Sequence, residues 1–278
     1  MRKGFTVVLM VVAASVMGIG LTACSGKSSS KGGKPTLRVQ TADTYRPWGF
    51  VNDKGEADGF NIELFKKVVE TIKDDYNFVY EAVAHETLYT NLETGKSDVI
   101  AFEMDRTPEN LNKFTLTKVA KSTLVPRIIV LEKDASKYSS WDDFQGKIVY
   151  VIPGADAASL EKYNESHKDN PIKLEYIADP ATCVQALVDG RADAFVRGGF
   201  AAVSFGETYG VKLKTVGEPV RNVQTYFALQ KNADANLVQK IDEAITALIA
   251  DGTVSALHKK WYNGYDYTPP YVFDPTKD

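Results

Sequence analysis

IVYVIPGADAASLEKYNESHKDNPIKLEYIADPATCVQALVDGRADAFV, residues 148–196, is the stretch whose reading decides the fold. Ile148-Val149-Tyr150-Val151-Ile152 is a strand of β-branched and aromatic residues, and residues 157–163 begin a helix. Ile172-Lys173-Leu174-Glu175-Tyr176 is a second strand, residues 181–188 a second helix, and residues 192–196 a third strand. A β-α-β-α-β order predicts a mainly parallel sheet with helices covering it.

Outward from this unit the same order recurs. Leu37-Arg38-Val39-Gln40 is a short strand, residues 60–72 carry apolar side chains at helical spacing, and Phe78-Val79-Tyr80 is a strand. Residues 88–92 are helical and Asp98-Val99-Ile100-Ala101-Phe102 is again a strand. The pattern restarts after Pro126, so two α/β units in tandem predict two lobes. Beyond them, Val223 to Leu229 reads as a strand and residues 235–250 as a helix with Leu237, Ile241, Ile245, Leu248 and Ile249 on one face. A last amphipathic helix follows Gly252 and runs towards Trp261, which reads as core. Returning this tail to the first lobe makes the chain cross between lobes twice, and two crossings make a hinge.

The N-terminus predicts the compartment. Arg2 and Lys3 precede an apolar run from Phe5 to Leu21, and Leu21-Thr22-Ala23-Cys24 closes it. A basic start, an apolar stretch and small residues before a cut site describe a secretory signal over residues 1–23. The tetrad resembles a bacterial lipobox, which implies lipidation at Cys24 and a mature protein held at the extracytoplasmic face of the membrane. Residues 25–34 contain only Ser, Gly and Lys, a composition that makes a flexible tether of residues 24–34.

With Cys24 lipidated, Cys183 has no disulfide partner and reads as a buried structural thiol in an apolar helical pattern. The three histidines, His85, His167 and His258, stand in no metal-ligand spacing, so neither metal nor cofactor is expected. Removing residues 1–23 takes away Arg2 and Lys3 and no acid, which moves the formal charge from −3 to −5. That balance argues against a nucleic-acid partner.

Asp58-Gly59-Phe60-Asn61-Ile62-Glu63-Leu64, then Met104-Asp105-Arg106-Thr107-Pro108-Glu109, then Gly190-Arg191-Ala192-Asp193-Ala194, in this order and at these separations, resemble the polar amino-acid-binding proteins of ABC importers, the extracellular solute-binding protein family 3, over nearly all of residues 35–265. Asp58-Gly59-Phe60-Asn61-Ile62-Glu63-Leu64 is similar to the family's Gly-Phe-Asp-x-Asp-Leu signature. Met104-Asp105-Arg106-Thr107-Pro108-Glu109 resembles its Met-Thr-x-Thr-Pro-Glu-Arg segment. Gly190-Arg191-Ala192-Asp193-Ala194, Asp251-Gly252-Thr253 and Lys260-Trp261 match its later elements in order. Pro153-Gly154 and Asp266-Tyr267-Thr268-Pro269-Pro270 resemble the cystine-binding branch.

The resemblance implies a type II periplasmic-binding-protein-like α/β fold: two mainly parallel sheets flanked by helices, with two hinge crossings. Lobe 1 would span residues 35–125 and 223–265, lobe 2 residues 126–222, with a C-terminal tail over residues 266–278. It also implies a ligand site between the lobes. Tyr45 and Trp48 correspond to the first-lobe aromatic loop, and His85 to a pocket wall or, from its position before Glu86, a helix cap. Glu103, Met104, Asp105 and Arg106 correspond to the loop that contacts the ligand's α-groups, while Ala155 and Asp156 occupy the second-lobe turn and Arg197 follows its last strand.

Several of these positions depart from the family. Its carboxylate-gripping arginine aligns with Asn110, and its ammonium-receiving acid with Gly198. Asparagine cannot reproduce two parallel charge-assisted bonds to a carboxylate. Asp105 and Asp156 stand where the family has Ser or Thr, and acids there either select a cation or serve helix N-termini. Arg106, Arg127 and Arg197 are the residues able to compensate by turning inward; otherwise they face solvent and pair with acids.

The expected protein is a monomeric binding protein that performs no chemistry. It would capture a small polar, amino-acid-like ligand, cystine or another derivative, and dock on the membrane permease of an ABC importer. A ligand sensor, or a lyase-like enzyme using Glu103, Asp105 and His85 as acid and base groups on the same fold, is the alternative.

Overall fold

The alternating residues of the first unit become a sheet whose two faces are both covered. In the computed structural model, which describes residues 33–274, β1 (Thr36–Ala42) begins at the surface and ends fully buried. A small antiparallel ribbon follows, made of β2 (Thr44–Tyr45), β3 (Gly49–Val51) and β4 (Ala57–Asp58). Helix α1 (Phe60–Ile72) buries Phe60, Leu64, Phe65, Val68 and Ile72, the stripe its helical spacing predicted. Then come β5 (Asn77–Val83), α2 (Leu88–Glu93), β6 (Val99–Asp105), α3 (Pro108–Lys113), β7 (Thr115–Leu116) and β8 (Ser122–Leu124).

One residue later the chain enters a second sheet at β9 (Pro126–Leu131). It continues through β10 (Ile148–Val151), α4 (Ala155–Glu165), β11 (Lys173–Tyr176), α5 (Pro180–Val188), β12 (Ala194–Gly198), α6 (Ala201–Tyr209) and β13 (Leu213–Val216). β14 (Val223–Leu229) then rejoins the first sheet, and α7 (Ala235–Ala250) and α8 (Thr253–Trp261) pack on α1. The strand orders are β5-β1-β6-β14-β7, with β8 also on β14, and β11-β10-β12-β9-β13.

Pairing is parallel within each β-α-β-α-β unit. It is antiparallel for β9 and β14, the strands through which the chain changes sheet. The difference follows from the connections, since parallel neighbours need a crossover long enough to hold a helix.

One buried cluster runs through both sheets, from Phe60 and Phe65 by way of Val125 and Phe200 to Phe195. Two further clusters stand apart from it, one built on each sheet. After α8 the tail turns back across the crossing: the Thr123 amide donates to the Tyr267 carbonyl at 3.0 Å, and the Phe273 ring lies 4.5 Å from the Arg127 guanidinium. Gly199 admits the tail, because a Cβ there would stand 2.9 Å from the Tyr267 hydroxyl. The signal, Cys24 and most of the tether lie outside the described residues.

Candidate functional site

β6 ends beside the gap between the sheets, and the alternation of a strand sends its last residues to opposite faces. Phe102 and Met104 are buried in the cluster on one face. Tyr45 stands over that face, its ring 4.7 Å from His85 and 5.8 Å from Phe102, with His85 5.3 Å from Phe102. Burial lowers the His85 pKa, which favours the neutral ring. His85 donates no helix-capping bond; it opens a single 3₁₀ turn and belongs to the aromatic wall. Tyr89 joins this wall at 6.0 Å from His85, and burial, with Asp105 and Tyr45 nearby, pushes its hydroxyl pKa up.

Glu103 takes the other face. Its Oε1 accepts from Lys121 Nζ and Asn61 Nδ2, both at 3.1 Å, and the Lys121 side chain is wholly buried. Burial lowers the Lys121 pKa while Glu103 opposes the shift. Next to this pair, Ser122 Oγ lies 2.8 Å from His258 Nε2, and His258 Nδ1 lies 3.1 Å from Thr268 Oγ1 and 3.6 Å from Asp266. A serine, a histidine and an acid in that order have the outline of a nucleophilic triad. Here both Ser122 and His258 are buried, and Phe60 stacks on the imidazole at 4.6 Å, so the network joins β8, α8 and the tail and offers no access to a substrate.

Asp105 and Asp156 meet although one ends β6 in the first sheet and the other stands in the first turn of α4, which follows β10 of the second. Arg221, in the segment that carries the chain back from β13 to β14, bonds both: Nη2 to Asp105 Oδ2, and Nη1 to Asp156 Oδ1 at 3.2 Å. Neither acid caps a helix. Thr107 caps α3 by accepting from the Asn110 amide, and α4 starts at Gly154 without a side-chain cap, leaving the Asp156 carboxylate for Arg221. Burial raises the Asp156 pKa and Arg221 works against the shift. Ala155, beside Asp156 in the first turn, is exposed.

The three arginines expected to compensate for Asn110 are engaged elsewhere. Arg106 donates to the Thr117 carbonyl at 3.0 Å and lies over the Tyr226 ring. Arg127 donates to the Gly217 carbonyl at 2.9 Å. Arg197 is buried, with bonds to the carbonyls of Val196, Ile177 and Ala178 at 2.7–3.1 Å. Asn110 itself donates to the Asp105 carbonyl at 2.9 Å and holds the end of β6. At Gly198 a Cβ would come within 2.6 Å of the Phe200 ring, which packs on Trp48 at 5.3 Å and on Tyr262 at 4.9 Å. An aromatic ring therefore fills the ground where relatives are expected to place an acid.

Sequence reasoning did not single out Arg221, Phe200, Tyr89 or Lys121. Arg221 lies 116 residues from Asp105 and 65 from Asp156, and its only signal was a basic residue at a lobe crossing. A pocket of about 460 Å³ opens beside Asp105 and Arg221. A groove of about 740 Å³ runs along α7 away from these acids. Its one buried acid, Asp242, already accepts the amides of Lys118 and Val119 at 2.8 and 2.9 Å.

Two α/β units crossed twice by the chain, with one acid of each sharing Arg221, are the construction of a two-lobed solute-binding protein. The chain belongs to the bacterial extracellular solute-binding proteins, family 3, whose sequence profile matches residues 37–264, and it is extracytoplasmic as that family is. It is 31% identical over 269 residues to the L-cystine-binding protein TcyJ of Bacillus subtilis (strain 168), covering 96% of this chain and 97% of that one. The L-cystine-binding protein TcyK of the same organism is 30% identical over 254 residues, 89% of this chain and 92% of that one. Among solved structures, the probable amino-acid ABC transporter extracellular-binding protein ytmK from Bacillus subtilis superposes with a TM-score of 0.74 at 30% identity, over 82% of this chain and 98% of that one. These relatives are named as binding proteins.

Proposed function

We propose that the protein captures an amino-acid-derived ligand, cystine or a related compound, in the gap between its two lobes and delivers it to the permease of an ABC importer. The observation that carries this reading is the meeting of Asp105, at the end of β6 in one sheet, and Asp156, in the first turn of α4 beside the other sheet, at a single guanidinium, because groups so placed report on closure around a ligand. The aromatic wall of Tyr45, His85 and Phe102 supplies apolar surface for the ligand's body. The lobes are residues 35–125 with 223–265, and residues 126–222, followed by the tail of residues 266–278, whose Tyr267 carbonyl accepts from the Thr123 amide beside the crossing. The protein acts as a monomer and returns its ligand unchanged.

Residues 1–23 are removed as a signal, Cys24 carries the lipid, and residues 24–34 tether the folded part to the membrane. Replacing Cys24→Ser is expected to release the protein from the membrane fraction into the medium.

A thermal-shift screen against cystine, other amino acids, polyamines and small peptides tests the function. A true ligand at a hundred times its Kd adds ~2.7 kcal/mol of stability and raises the midpoint visibly. A flat response across the panel removes transport of amino-acid derivatives, and conversion of a bound compound during incubation replaces binding with enzymology.

A further inference from the structure

We infer that Arg221 is a specificity-determining residue whose guanidinium holds, between Asp105 and Asp156, the position of a ligand's cationic group, so that the cleft selects compounds carrying an exposed ammonium or guanidinium. The inference rests on the solute-binding reading above.

Charge counting is the first support. One acid of each lobe shares one arginine, while Arg197 spends its donors on three backbone carbonyls and Arg127, paired with it across β12 and β9, donates to the Gly217 carbonyl. The Asp105–Arg221–Asp156 group is therefore left with one net negative charge. A ligand cation that takes one carboxylate leaves Arg221 paired with the other, and every charge then has a partner. A ligand anion that takes Arg221 leaves a carboxylate without one in a half-buried place, which is costly.

The acids are also available. Neither carboxylate caps a helix, and the side chains of Asp105 and Asp156 keep 24% and 28% of their surface exposed, against 14% for Arg221. Glu103 points the same way by independent means. It lies two residues before Asp105 and so on the same face of β6, and its second oxygen, Oε2, is a buried acceptor without a hydrogen-bond partner. An acceptor of that kind calls for a donor. Lys121 neutralises the charge of Glu103 through the other oxygen, and so the negative excess stays at the Asp pair.

The test is calorimetric titration of the protein with matched compounds: cystine, cystamine (its decarboxylated form) and 3,3′-dithiodipropionate (its deaminated form), with arginine, agmatine and 5-guanidinovalerate as a second set. Wild-type protein is expected to keep affinity within tenfold for cystamine and agmatine, which lack the carboxylates, and for 5-guanidinovalerate, which keeps its guanidinium, and to lose at least a hundredfold for 3,3′-dithiodipropionate, which carries no cation. Asp105→Asn and Asp156→Asn should each weaken the cationic ligands at least tenfold, while Arg221→Gln, which frees both carboxylates, should tighten them. The wild-type comparison stands even if a variant fails to fold. 3,3′-Dithiodipropionate binding as well as cystine, or Arg221→Gln abolishing binding of the parents while the Asp variants retain it, would make Arg221 a carboxylate anchor and overturn the inference while leaving the transport reading intact. A wild type that binds neither parent nor derivative, and nothing in the wider thermal-shift panel, removes both.

Discussion

Glu103 and Lys121 illustrate how much a single side chain depends on its surroundings. Their pair is buried at 3.1 Å, with side-chain exposures of 9% and 0%. Removing one partner strands the other, and breaking a buried pair costs about 3–5 kcal/mol, whereas replacing both by apolar groups costs far less. Glu103→Gln is therefore expected to lower stability by about 3 kcal/mol in urea unfolding, and Glu103→Gln with Lys121→Met to recover most of it. Equal losses in the single and double variants would mean that the pair carries little of the stability. At this scale the sequence located the end of β6 as part of the site, but it did not show that Glu103 would turn to Lys121 and Asp105 to Arg221. Both partners come from remote segments, and no local spacing announces a contact across 116 residues.

Elements with strong periodicity were legible to the residue. α1, β14 and α7 begin and end where apolar spacing placed them, at Phe60–Ile72, Val223–Leu229 and Ala235–Ala250. The Thr107 cap and Pro108 start of α3 were equally readable, since both follow from local backbone chemistry. The ribbon β2–β4 and the strands β7 and β8 were not, because two or three residues carry no period.

The joint between α8 and the tail carries a pH dependence. Burial lowers the His258 pKa from its ordinary 6.5, so around that pH the unfolded chain binds more protons than the folded one. Stability from the neutral ring is present above pH 6.5 and is lost as the pH falls towards the folded value. His85 shifts in the same direction, also through burial. Asp266 follows lower down: its hydrogen bond with His258, and those from Ser255 and Thr268, hold its carboxyl well below the usual range, so its contribution disappears only in strong acid. Unfolding midpoints measured from pH 7.5 to 5 should fall with acidification, with a slope of up to two protons. His258→Gln should flatten that slope by about one proton; an unchanged slope would remove His258 from the account.

Across the whole molecule, Phe200 is the apolar counterpart of Arg221. It leaves the second sheet after β12 and packs on Trp48 and Tyr262, which belong to the part of the chain around the first sheet. Phe→Ala at a buried position costs about 3–5 kcal/mol, and here part of that loss falls on the contact between sheets. Phe200→Ala is expected to lower the melting temperature and to increase the radius of gyration of the ligand-free protein in small-angle scattering. A lower melting temperature with an unchanged radius would confine the role of Phe200 to packing.

The sequence by itself determined the two β-α-β-α-β units, the long helices and the family, because periodicity and ordered short motifs are local properties that survive without a partner. Through the family resemblance it also carries the expectation that the usual ligand-gripping residues are replaced at Asn110 and Gly198. Only the tertiary structure decided what stands in their place: an arginine from the crossing segment between two acids, and a phenyl ring against a glycine. The physical reason is that charge pairing and close packing are settled by distance in space, and the residues concerned approach one another only once both sheets have formed and the chain has crossed between them twice.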